Sequence, residues 1–119
     1  MKSTIVTTVP TLAERRLHER HAIRTDAAVL LPDGYQYTVQ TLDLGRAGMA
    51  LVADINPPVG SNLAVRVSLP LHPSGHGLFV AHARVANSVL DGAEGGFRVS
   101  LQFLTLEAAA TQVLERFLP

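Results

Sequence analysis

Leu63-Ala64-Val65-Arg66-Val67-Ser68-Leu69 sets a large apolar side chain at every second position, with Ala, Arg and Ser between them. Side chains of an extended chain point alternately to opposite faces, so this stretch reads as a strand with one face in a core. Downstream, residues 78–89 and 97–103 read as two more strands, separated by Asp91-Gly92-Ala93-Glu94-Gly95-Gly96, a connection rich in turn formers. Upstream, residues 23–31 run into Pro32-Asp33-Gly34, where proline presets one dihedral and glycine permits a positive one. Residues 35–42 then alternate aromatic and β-branched residues with polar ones, so these two runs form a hairpin. Gly45 and Gly48 bracket a sharp turn into Met49-Ala50-Leu51-Val52. Asn56-Pro57-Pro58-Val59-Gly60 interrupts the pattern, because proline has no amide hydrogen for a ladder, and His72-Pro73-Ser74-Gly75-His76-Gly77 is a loop. Short strands with turn-sized connections, six in all, predict an all-β antiparallel barrel or sandwich with Val65, Val67, Val85 and Val99 in its core.

The two ends depart from this pattern. Leu106, Ala110, Val113, Leu114 and Phe117 fall on one face of a helix that would close over a barrel end or edge. Thr105 is its expected N-cap, with Glu107 in the first turn. At the other end, residues 1–13 are rich in Thr, carry Pro10 and show no periodicity, which predicts a flexible arm ahead of one domain spanning 14–119. Residues 13–20 are compatible with a helix, though too short a one to be stable alone.

A chain of 119 residues, 47% apolar, suits one domain with a packed interior. Cysteine is absent, which removes disulfides, thiol nucleophiles and cysteine-based zinc sites together. No apolar run approaches the roughly 18 residues of a membrane span. The opening Met1-Lys2-Ser3-Thr4-Ile5-Val6 lacks an apolar signal core, so a cytoplasmic protein is expected. The net charge of zero argues against a nucleic-acid coat or a membrane-surface protein. Its distribution is uneven: residues 1–24 hold Lys2, Arg15, Arg16, Arg20 and Arg24 against Glu14 and Glu19, a segment able to neutralise a compact anion or to serve as a solvated basic tail.

Two short elements carry chemistry. In Arg15-Arg16-Leu17-His18-Glu19-Arg20, two arginines stand four residues apart beside a third. Planar guanidinium groups bind phosphate oxygens or the O6/N7 edge of guanine in a bidentate manner that lysine cannot copy. In Asp43-Leu44-Gly45-Arg46-Ala47-Gly48, a carboxylate at a strand end can accept from guanine N–H groups, and glycines let backbone approach a flat ligand. Each element alone is ordinary. In this order and at this separation they resemble the PilZ domain family, whose signature is Arg-x-x-x-Arg followed downstream by Asp/Asn-x-Ser-x-x-Gly. The resemblance runs from about Glu14 to Leu118, through Pro58-Val59-Gly60, Ala83-Arg84-Val85 and Gly96-Phe97-Arg98-Val99-Ser100-Leu101-Gln102-Phe103.

The resemblance implies a six-stranded antiparallel β-barrel with a C-terminal helix, and a non-catalytic receptor for the second messenger cyclic di-GMP. Carried over, Arg16 and Arg20 clamp phosphates and guanine edges, Asp43 accepts from a guanine, and Gly48 keeps the turn open. Arg15 precedes the motif, and in this family an arginine there favours a stacked ligand dimer, two ligands per chain. The family serine is Gly45 here. Losing that hydroxyl removes a bond worth roughly 0.5–1.5 kcal/mol, about two- to tenfold in affinity, so binding should weaken and persist. The expected mechanism is ordering of the arginine-bearing arm across the barrel face, which then presents a new surface to a protein partner.

Other readings fare less well. A PilZ-like protein-interaction adaptor that has lost the nucleotide is the runner-up, with Gly45 as a first step towards it. Binding of single-stranded nucleic acid would call for exposed aromatic platforms and a basic groove, against four Phe, two Tyr and no net charge. His72 and His76 have helical ligand spacing but sit in a Pro/Gly loop without a neighbouring carboxylate, so no metal and no cofactor is expected. Ser74 and His76 lack the further partners of a nucleophilic triad, and no enzyme is expected.

Overall fold

The computed structural model describes Thr11 and residues 19–119. Among these, the strands are β1 (Arg20–Ala22), β2 (Asp26–Leu30), β3 (Gln36–Gly45), β4 (Gly48–Ala53), β5 (Asn62–Pro70), β6 (His76–Asp91) and β7 (Gly96–Phe103), followed by helix α1 (Ala108–Phe117). The strands β3-β2-β5-β6-β7-β4 are neighbours in that order, and β4 pairs back onto β3, closing a six-stranded antiparallel barrel. Each expected strand is present. The stretch that decided the fold forms the middle of β5, with Leu63, Val65, Val67 and Leu69 buried and Arg66 and Ser68 exposed.

Closure leaves no open edge along most of the sheet and creates one interior. Phe79, Ala81, Ala83 and Val85 of β6 fill it from the strand next to β5, with Val99 and Leu101 from β7 and Met49 and Leu51 from β4. Phe79 and Phe103 meet at 5.4 Å between ring centroids with a 60° tilt, a favourable edge-to-face geometry. The Pro32-Asp33-Gly34 turn forms as read: Gly34 has φ +92°, its N–H donates to the Leu31 carbonyl (3.0 Å), and Asp33 Oδ1 accepts from Tyr35 N–H (2.9 Å).

Three local expectations are corrected. The run expected over 23–31 is shortened to β2, and β1, a seventh strand ahead of that run, pairs with β3 beyond the end of β2. Residues 23–25 between them stay tied to β3, with Ile23 N–H on the Leu42 carbonyl (3.1 Å) and Thr41 N–H on the Thr25 carbonyl (2.9 Å). The helix-compatible reading of 13–20 fails at Arg20, which opens a strand; residues 12–18 lie outside the described residues, as does the expected arm apart from Thr11. At the other end α1 begins at Ala108 with Glu107 as N-cap, and neither Thr105 nor any side chain caps it. The reason is upstream: Leu104 N–H donates to the His82 carbonyl (2.9 Å), so the chain is still tied to β6 there. The apolar face is as expected, with Ala110, Leu114 and Phe117 buried, and α1 packs on β6 and β5.

Candidate functional site

The site is built on β3. Along most of that strand the burial alternates, but Thr41 and Leu42 are both buried, and the pairing with β4 slips between Thr41 and Asp43. This β-bulge puts two β3 residues opposite one of β4 and re-aims the end of the strand. Asp43 therefore emerges half-buried opposite Ala50, and its Oδ1 accepts from the Ala50 N–H (3.2 Å). Two residues later the chain turns over Arg46 and Ala47 into β4.

β1 lies along the same end of β3, with Arg20 opposite Gly45 and Ala22 opposite Asp43. Its position is fixed by Thr41, the buried polar side chain among the described residues. Thr41 Oγ1 donates to the Ile23 carbonyl (2.5 Å) and accepts from the Thr25 N–H (3.0 Å), satisfying the link between β1 and β2. From β1, Arg20 Nη1 donates to Asp43 Oδ1 at 2.9 Å. The other terminal nitrogen, Nη2, lies 3.2 Å from where a Cβ of Gly48 would be. Arg20, Asp43, Gly45 and Gly48 are thus brought to one hairpin, with the Arg20 and Asp43 side chains 35% and 22% exposed. Arg15 and Arg16 lie outside the described residues. Arg20, expected on the arm that orders across the barrel face, is instead in β1 and paired with β3.

Two further ion pairs, one at the β3–β4 turn and one at the β6–β7 turn beside the far end of β4, were not legible in the sequence. Arg46, in the turn itself, donates through Nε and Nη2 to Glu115 Oε1 and Oε2 of α1 (3.1 and 3.0 Å). Arg24, after β1, donates through Nη1 and Nη2 to Glu94 Oε2 and Oε1 at the tip between β6 and β7 (3.0 and 2.8 Å). These bonds hold the Glu94 carboxyl below the usual carboxylate range and raise the Arg24 guanidinium. The partners stand 69 and 70 residues apart, so no local signal could have joined them.

Away from this hairpin, the outward face of β2, β5 and β6 exposes Leu30, Leu78 and Val80, with Leu104 beside it. A cavity of about 460 Å³ opens there between Leu30, Pro32, Ala64, His82 and Leu104. Among the described residues no three His, Asp or Glu side chains converge as metal ligands, and no helix is long and apolar enough to cross a membrane.

The barrel is similar to solved structures. The inhibitor of motility of Bacillus subtilis (MotI/DgrA) superposes with a TM-score of 0.71 at 16% identity, over 89% of this chain and 53% of that one. This chain thus spans about half the length of that protein. The PilZ domain of YcgR from Escherichia coli, solved with c-di-GMP, superposes with a TM-score of 0.61 at 21% identity, over 86% of this chain and 87% of that one. At such identities the likeness is one of fold. No curated protein matches the sequence. The family model described as the PilZ domain, however, matches residues 14–118, which take in every described strand and the helix, and the chain belongs to the PilZ domain family.

Proposed function

We propose that this chain is a non-catalytic receptor for cyclic di-GMP, bound at the end of β3 by Arg16 and Arg20 with Asp43 and the glycines of the following hairpin. The observation that carries the reading is the meeting of Arg20, Asp43, Gly45 and Gly48 at one hairpin, although Arg20 and Asp43 stand 23 residues apart. An exposed guanidinium over a glycine-bracketed turn, beside a carboxylate, offers donors to phosphate and to the guanine O6/N7 edge, and an acceptor for guanine N–H groups. The c-di-GMP complex of the YcgR PilZ domain, on the same fold, supports the choice of ligand. Arg15 next to Arg16 supports two stacked ligands per chain. Because Arg20 is already paired into the barrel, ordering on binding belongs to the residues before it: amides of residues 8–18 gain protection, and Arg20–Ala22 change little.

Calorimetric titration of cyclic di-GMP against the wild type and an Arg16→Ala, Arg20→Ala double variant tests the site. Each arginine offers charge-assisted bonds of about 1.5–3 kcal/mol, so the double variant should lose at least about a hundredfold in affinity. Equal binding by both proteins, or none by either, overturns the assignment. The same titration reads the stoichiometry, where one ligand per chain removes the stacked dimer. The second reading, an adaptor that binds protein and no nucleotide, is favoured by the exposed apolar face of β2, β5 and β6, and absence of binding by the wild type selects it.

A further inference from the structure

Gly45 ends β3 with Arg20 of β1 directly opposite. A Cβ built on Gly45 would overlap the Glu19 carbonyl oxygen and stand 3.0 Å from Arg20 Cδ and 3.2 Å from the Glu19 carbonyl carbon. The obstacle is backbone, which cannot swing aside as a flexible side chain does. Gly45 has no positive φ, so its conformational freedom is not what the position uses; the missing side chain is. Gly48 repeats the arrangement across the hairpin, where a Cβ would overlap the Leu101 carbonyl oxygen and approach Arg20 Nη2. Arg20 is therefore laid across both glycines on its way to Asp43.

We infer that Gly45 is a positioning residue: its absent side chain lets β1 dock against β3 so that Arg20 is held on Asp43 in advance. This rests on the cyclic di-GMP reading of the site. The serine-bearing family pattern has the same arginine pair, so what glycine adds at position 45 is the close approach that presets Arg20, whose charge-assisted bonds are individually stronger than those of one neutral hydroxyl. Preorganising the arginine also lowers the ordering cost of binding. Restoring serine here consequently weakens the site, since any side chain at position 45 displaces the strand that carries Arg20.

The test uses the full chain with Gly45→Ala and Gly45→Ser, each read by two measurements. Amide hydrogen exchange at residues 20–23 is followed without nucleotide, and cyclic di-GMP is titrated by calorimetry. Both variants should exchange faster than the wild type at these amides and bind about tenfold more weakly, with serine no tighter than alanine. A Gly45→Ser variant that binds as tightly as the wild type, or β1 protection unchanged in both variants, overturns the inference. If the wild type binds no nucleotide while both variants still lose β1 protection, the positioning role stands and the cyclic di-GMP reading falls. Should the variants fail to fold, Asp43→Asn removes the charged partner of Arg20 without adding bulk. Faster exchange at residues 20–23 is expected there, and unchanged exchange overturns the inference.

Discussion

Thr41 shows how much of this site hangs on one hydroxyl. Its side chain is buried between β3 and the residues linking β1 to β2, where it serves both a backbone acceptor and a backbone donor. Valine fills nearly the same volume but leaves the Thr25 N–H without that acceptor. A buried donor so orphaned costs about 1–3 kcal/mol, so Thr41→Val should lower unfolding free energy by that amount in urea denaturation. The loss should come with faster exchange in β1. Gly48→Ala is the second case. Its Cβ would overlap the Leu101 carbonyl on β7, and relieving that contact shifts backbone between paired strands. A thermal melt should show Gly48→Ala destabilised by about 1–3 kcal/mol, in line with overpacking against atoms that cannot rotate away.

The β6–β7 turn and α1 each send one carboxylate to a distant arginine: Glu94 meets Arg24 in the link between β1 and β2, and Glu115 meets Arg46 in the β3–β4 turn. The Arg24 guanidinium lowers the pKa of Glu94, so the pair's stabilisation is present above the unfolded value near 4.5 and fades as pH falls through the lower folded value. Wild type should accordingly be more stable than Glu94→Gln at pH 7, and the difference should vanish as pH is taken below that range. Denaturation midpoints at several pH values check this; a gap independent of pH would refute it. The Arg46 pair with Glu115 joins the candidate hairpin to α1 across exposed side chains, 31% and 51% accessible. At such exposure an ion pair contributes about 0–1 kcal/mol, so Glu115→Gln should change stability by less than that in a denaturant titration. The apolar face of α1, with Leu114 and Phe117, holds the helix in place instead.

At the level of the whole molecule, stability resides in the barrel interior. Phe79 is fully buried near the start of β6, beside Val67 on β5 and against the Phe103 ring. Phe79→Ala removes most of that packing and should cost about 3–5 kcal/mol, read as a lower midpoint in guanidinium unfolding. Because the barrel closes through the β3–β4 pairing, and β3 also carries β1, loosening the interior should loosen the candidate site as well.

The strands, their order of turns and the apolar face of the terminal helix were legible because each depends on a local period. Alternation in Leu63 to Leu69 needs only that one face be dry, and the spacing from Leu106 to Phe117 needs only a helix with one dry side. The order Arg-x-x-x-Arg then Asp-x-Gly-x-x-Gly pointed to a ligand site only through its resemblance to the PilZ signature. β1 escaped because Arg20-His21-Ala22 has no alternation to show, and the bulge at Leu42 because both its neighbours look like ordinary strand residues. Partner choice for Arg20, Arg24 and Arg46 was closed to a local reading, since each stands far along the chain from its carboxylate and meets it only once the barrel closes. Gly45 marks the boundary most sharply. By pattern it is a serine lost; in the fold it is the space through which the Glu19 backbone passes, and only the approach of two distant strands could decide between a missing hydroxyl and a needed gap.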